Sequence, residues 1–121
     1  MPLALVTGAS EGLGRAFAKR LAGDGYQVVA VGRNEARPQK LVVELGDGGH
    51  SSLTADLCET AGVAKVAAAL SSKHFDLLVN NAGLGRYGDF ATSDEPHSRR
   101  MIRLNCEALV ALSRCFSRER P

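Results

Sequence analysis

The stretch Thr7-Gly8-Ala9-Ser10-Glu11-Gly12-Leu13-Gly14 has the residue types and spacing best suited to holding a small charged ligand. It follows a short apolar run, Leu3 to Val6, and leads straight into a helical pattern, so it reads as a strand-to-helix turn. The start of a helix leaves several backbone N–H groups unpaired and carries a partial positive charge. Glycines let the chain turn sharply and let a phosphate come close to the backbone. Such a turn can hold a phosphate without a metal. It also has a purely geometric use in joining strand to helix, so other segments must decide between the two.

Three further groups of residues end or follow apolar runs. Gly32 and Arg33 follow the run Gln27 to Val31, Asp56 and Leu57 follow Ser51 to Ala55, and Asn80-Asn81-Ala82-Gly83 follows Asp76 to Val79. Asn105 lies within the last helical pattern. The three histidines, His50, His74 and His97, are scattered and read as surface residues. Cys58, Cys106 and Cys115 are odd in number and lack metal-ligand spacing, so they read as reduced thiols of a cytoplasmic protein and no metal site is expected.

The elements that position these residues follow from periodicity. The chain has 121 residues, 45% of them hydrophobic and 23% charged, which fits one ordinary globular domain or part of one. A net charge of +2 gives no reason to expect nucleic acid as a partner. No apolar run approaches the roughly 20 residues of a membrane-spanning helix, and Met1-Pro2-Leu3 does not open a signal peptide. Leu3 to Thr7 reads as a strand buried on both faces. Leu13, Phe17 and Leu21, four apart, form an apolar helical stripe ended by Gly23-Asp24-Gly25. Asn34 can cap a second helix to about Leu45, with Pro38 confined to its first turn. Thr60 caps a third helix, whose face carries Val63, Val66, Ala67 and Leu70. Ser93 or Asp94 caps the last, which carries Met101, Ile102, Leu109 and Leu112. Arg99, Arg100, Arg103, Arg114, Arg118 and Arg120 are expected on its wet side and at its C-terminal end. Strands alternating with helices predict an α/β fold, a Rossmann-type doubly wound parallel sheet. For a dinucleotide-binding fold the four strands would lie in the order 3-2-1-4.

The chain resembles the N-terminal half of a short-chain dehydrogenase/reductase. The family's Thr-Gly-x-x-x-Gly-x-Gly turn is matched by Thr7, Gly8, Gly12 and Gly14, and its acidic residue after the third strand by Asp56. Its Asn-Asn-Ala-Gly after the fourth strand is matched by Asn80 to Gly83, and its Asn on the next helix by Asn105. The resemblance implies a dinucleotide held by Gly8, Ser10, Glu11, Gly12, Leu13 and Gly14, with Asp56 accepting from the adenine amino group beside Leu57. Asn81, Ala82 and Gly83 would let the cofactor pass close to the fourth strand. At the end of the second strand a carboxylate would bind a ribose 2′-hydroxyl and repel a 2′-phosphate. The chain has Gly32 and Arg33 instead, and a guanidinium suits a phosphate, so NADP is expected in preference to NAD. Glu11 counts slightly against this.

The resemblance also implies a catalytic Tyr with a Lys four residues later, the Tyr moving a proton at the substrate oxygen. Tyr26 is followed at that spacing by Ala30 and Tyr87 by Ala91, so neither fits. Asn105 is left with a supporting role, and Tyr87 reads as loop packing rather than substrate contact. Residues 1–121 are therefore expected to be the truncated cofactor-binding half of an oxidoreductase acting on alcohol and carbonyl groups, inactive alone. The alternative is a stand-alone nucleotide-binding or interaction module without catalysis. An uncovered fourth strand, and a last helix presenting Leu109, Leu112 and Phe116, predict self-association, most simply as a homodimer.

Overall fold

Each apolar run becomes a strand. In the computed structural model, which describes residues 1–10, 12–83 and 94–118, β1 (Leu3–Thr7), β2 (Gln27–Gly32), β3 (Ser51–Thr54) and β4 (Leu77–Val79) form one parallel sheet. Its order is β3-β2-β1-β4, as the sequence predicts, with β4 starting one residue later than expected. Leu5 lies level with Val29 on one side and Leu78 on the other. β1 is buried along its whole length, and β3 and β4 are edges in which most residues are half-buried. Because side chains alternate across a strand, Leu3, Leu5, Val29 and Val31 enter one apolar cluster while Val6, Val28 and Ala30 enter the other.

Helices α1 (Gly12–Gly23) and α2 (Ala36–Leu45) cover the second of these faces through Ala18 and Leu41. Helix α3 (Thr60–Ser72) covers the first, with Val66 and Leu70 buried. The chain then runs through α4 (Glu95–Ile102), a π-helical turn (Arg103–Ala108) and α5 (Leu109–Arg118), which packs Leu112 beside α3. Two crossovers run from β1 to β3 on one face, and the jump from β3 back to β4 reverses direction and uses the other. This is the right-handed, doubly wound arrangement. Leu5, Leu41, Leu70 and Leu112 are fully buried, and truncating any of them to alanine costs about 2–5 kcal/mol, a large part of a small domain's stability.

Several local expectations are corrected. Of the Leu13-Phe17-Leu21 stripe only Leu21 packs on the core: Leu13 is 71% and Phe17 47% exposed, and the first turns of α1 bury Gly14 and Ala18 instead. The cause is spacing, since the Gly8 carbonyl lies where a Cβ on residue 14 would go and leaves no depth for a large side chain. Thr60 is the first residue of α3, not its cap, whereas Asp94 does hold the N-cap position of α4, with no side-chain capping bond. Asn34 does cap, accepting a hydrogen bond from the Arg37 amide at 3.1 Å. On the last helix Leu112 is buried and Phe116 packs on the core, so the uncovered apolar residues are Ile102, Leu109 and Val110. His50 is not a free surface residue, because its Nδ1 accepts from the Val28 amide at 3.0 Å. Glu11, Tyr87, Ser93 and Arg120 lie outside the described residues.

The cysteines are all free thiols, with Cys58 buried, Cys115 half-buried and Cys106 exposed. Burial, and then the neighbouring Asp56 charge, push the Cys58 thiol above its ordinary value. Alkylation of the native protein at pH 8 should therefore label Cys106 first and leave Cys58 unmodified until denaturant is added; mass mapping of the labelled peptides reads this. The same shift gives stability that is complete below the ordinary thiol pKa. It is lost as pH rises from there through the raised Cys58 value, because the unfolded thiol ionises first.

Candidate cofactor-binding site

The site grows from the end of β1. The Thr7 side chain, 1% exposed, accepts hydrogen bonds from the backbone amides of Asn81 and Ala82, both at 3.0 Å, and donates to the Val79 carbonyl at 3.3 Å. Asn81 Nδ2 donates to the Gly8 carbonyl at 3.2 Å. These bonds fasten the turn after β4 to the turn after β1. The fastening is tight enough that a Cβ on Gly8 would lie 2.9 Å from the Ala82 Cα, and Gly8 also has φ +60°. Gly14 is occluded in the same way by the Gly8 carbonyl and the Asn81 amide. Gly12 differs: it has φ +59° and, among the described residues, nothing within 4 Å of an added Cβ, so its backbone stands open to them at the start of α1. Gly8 and Gly14 thus serve packing, while Gly12 gives the bend and the open approach that a pyrophosphate needs.

The ends of β2 and β3 form the opposite rim. The cleft between them, about 290 Å³, is lined by Gly8 and Ser10 on one side and by Arg33, Arg37, Asp56 and Cys58 on the other. Asn81, Ala82, Gly83 and Leu104 line its remaining wall. Asp56 Oδ1 accepts the Cys58 amide at 2.9 Å, and its Oδ2 lies 3.6 Å from an Arg100 nitrogen on α4. Gly62, at the start of α3, has no room for a Cβ because the Asp56 backbone lies against it. The π-helical turn carries Asn105, whose Oδ1 lies 3.4 Å from where a Cβ on Gly83 would be. Such turns widen a helix by one residue and recur at functional sites. A larger depression of about 770 Å³ runs along α5, past Cys106, Val110 and Arg114. It gathers none of the motif residues, so the smaller cleft is the candidate site.

The expected residues are therefore largely brought together. Gly8, Ser10, Arg33, Asp56, Leu57, Asn81, Ala82 and Gly83 line one cleft, and Gly12 lines a separate depression that shares Ser10 and Arg37 with it. Leu13 begins α1 with its side chain outward, and Leu57 turns its side chain into the core, so either could offer a ligand only its backbone. Gly14 is interior. Arg100, expected on the wet face, instead stands beside Asp56. Sequence reasoning also missed Thr7 as the tie, and missed Arg37 and Leu104 as lining. Arg37 stands four residues after Arg33 across the start of α2, a spacing that could have found it. The residues fit a dinucleotide: an open amide turn for the phosphates, two guanidinium groups on the β2 rim, and a carboxylate at the end of β3. Among the described residues no group of His, Cys, Asp and Glu could hold a metal ion.

A parallel sheet ordered 3-2-1-4, with its cleft at the point where the crossovers reverse, defines the class of dinucleotide-binding Rossmann-type folds. The family model for short chain dehydrogenases matches residues 2–120, and the chain belongs to that family. A serine 3-dehydrogenase of Agrobacterium fabrum is 39% identical over 82 residues, 66% of this chain and 32% of the relative. The NADP-dependent 3-hydroxy acid dehydrogenase YdfG of Shigella flexneri is 38% identical over 84 residues, 68% of this chain and 34% of its own length. Among solved structures, a short-chain dehydrogenase from Sphingobium yanoikuyae in complex with NADPH superposes with TM-score 0.92 at 34% identity, over 98% of this chain and 48% of that one. A metagenomic short-chain oxidoreductase in complex with NADP gives 0.88 at 33%, over 97% and 55%. The chain thus spans about a third of the curated relatives and about half of the solved ones.

The Thr7 tie is directly testable. Thr7→Val keeps the shape but leaves the Ala82 amide without its acceptor, at a cost of about 1–3 kcal/mol, and leaves the Asn81 amide only its bond to the Val79 carbonyl at 3.1 Å. Thr7→Ser, which keeps the hydroxyl, should unfold in urea close to the wild-type midpoint while Thr7→Val unfolds well below it. Equal midpoints for the two would show that the tie carries no weight.

Proposed function

We propose that this chain is the NADP-binding part, residues 1–121, of an oxidoreductase that interconverts alcohol and carbonyl groups. The observation that carries the reading is the β2 rim of the cleft, where Gly32 leaves no carboxylate and Arg33 and Arg37 stand together. Guanidinium groups at that place suit a 2′-phosphate better than a bare 2′-hydroxyl. The NADP-dependent relative and the NADPH- and NADP-containing neighbours support it. In this reading the amides around Ser10, Gly12 and Leu13 hold the pyrophosphate, and Asp56 takes the adenine amino group. Gly83 lets the nicotinamide side pass close to β4, with Asn105 supporting behind it. A bound nicotinamide supplies or accepts the hydride. The chain's own residues bind and orient it.

Proton transfer at the substrate oxygen needs a Tyr with a Lys one helical turn on, and Tyr26 and Tyr87 have alanine at that spacing. The chain as it stands should bind nucleotide without turning over. Reduced, unpaired cysteines fit a cytoplasmic setting.

Fluorescence titration tests the cofactor. NADPH should bind more tightly than NADH, and Arg33→Ala should weaken NADPH about ten- to a hundredfold, the worth of one or two charge-assisted hydrogen bonds, with little effect on NADH. Equal affinities unaffected by the substitution would remove the NADP assignment. We also infer self-association of this chain through the uncovered Ile102, Leu109 and Val110 and the open edge of β4. Sedimentation velocity should show a dimer that Val110→Glu with Leu109→Glu returns to monomer. A wild-type monomer at high concentration would refute the idea.

A further inference from the structure

Gly32 is the last residue of β2, the place where a NAD-selective site of this kind carries its carboxylate. Here that place is filled from two sides. A Cβ on Gly32 would land on the Pro38 Cγ, 3.2 Å from the Pro38 Cδ and 2.6 Å from the Ser10 hydroxyl. The strand cannot retreat from this contact. The Gly32 carbonyl accepts the Ala55 amide at 3.0 Å, and the Val31 carbonyl accepts the Ala9 amide at 3.2 Å. Gly32 is also in register with Thr54 of β3.

The two neighbours differ in how far they can yield. The Ser10 hydroxyl can rotate away about one bond. The Pro38 ring cannot: it is fully buried, its φ is fixed by the ring, and its helix is held by the Asn34 cap and by Leu41 in the core. Proline is tolerated there because it lies in the first turn of α2, where the missing N–H would have no helical partner. Its ring is therefore free to act as a wall.

We infer that Pro38 is a specificity-determining residue: its ring excludes from position 32 the carboxylate through which NAD is selected. The Arg33 and Arg37 charges favour a 2′-phosphate, and the ring keeps the strand end from accepting the carboxylate that would oppose it. The inference rests on the NADP reading above and extends it to a residue outside the recognised motif. It also means that reversing the charge at the strand end is not enough to change the cofactor.

Gly32→Asp, Gly32→Asp with Pro38→Ala, Pro38→Ala alone and the wild type separate these ideas, each read by thermal melting without ligand and by titration with NADPH and NADH. Gly32→Asp alone should melt well below the wild type and gain no affinity for NADH. Adding Pro38→Ala should restore most of the melting temperature and raise NADH affinity at least tenfold over Gly32→Asp, while NADPH binding falls. If Gly32→Asp alone melts like the wild type or already prefers NADH, there is no wall. If the double variant is no better than Gly32→Asp in both measurements, Pro38 is not the wall. A wild type that binds neither nucleotide would overturn the cofactor reading and the selection with it, while the melting comparison would still uphold or refute the block itself.

Discussion

The hydroxyl of Thr7, seconded by the Asn81 side chain, holds together the two turns between which the candidate cleft opens. β1 is the strand from which the crossovers depart in both directions, so its end is where a doubly wound sheet leaves a crevice. β4 contributes only three residues to the ladder beside it. So short a strand would leave its following turn free to wander. Thr7 removes that freedom by accepting two amides of the turn and returning its proton to the Val79 carbonyl. The group is buried and fully engaged, so each bond is worth more than it would be in water.

The glycines follow from that closeness. Once the turn after β4 lies on the turn after β1, Gly8 can have no Cβ, and once the Gly8 carbonyl faces α1, Gly14 can have none either. The helix then sits too near the sheet for large side chains along that line, which is why Ala18 is buried and Phe17 is not. Only Gly12 is left with open space in front of it. A motif that looks like one device is two: a pair of glycines for packing, and one that leaves the backbone open.

The strands and helices were legible because their periods are local properties of the sequence, and the sheet order followed from the general topology of dinucleotide-binding folds. Val28 to Val31 and the face of Val66 and Leu70 could hardly be read otherwise. The turn residues were legible as a set because they fall at the strand ends. What was not legible depends on distance through space. The Leu13-Phe17 stripe has the period of a buried face, and only the depth available beneath α1 shows that it is not one. Arg100 lies 44 positions after Asp56, on a helix whose basic residues look alike in sequence, and the fold alone singles it out. Pro38 reads as a helix-start residue, and nothing local says that its ring rests on Gly32.

The Asp56–Arg100 pair shows how weak contacts can still define a site. At 3.6 Å and with the Asp56 side chain 28% and the Arg100 side chain 39% exposed, the pair is worth at most about 1 kcal/mol. Stability is therefore a poor reason for it. Its effect is directional: one carboxylate oxygen is fixed by the Cys58 amide and the other is turned toward α4, so the group cannot rotate freely at the end of β3. A carboxylate already oriented loses less entropy on accepting a further hydrogen bond than one that must first be ordered. The same logic governs the opposite rim, where the Pro38 ring fixes what volume is available and Arg33 and Arg37 fix the charge. Each strand end around the cleft is thus constrained by a neighbour that a ligand need not touch, and this makes the cleft a preformed site instead of a gap between loops.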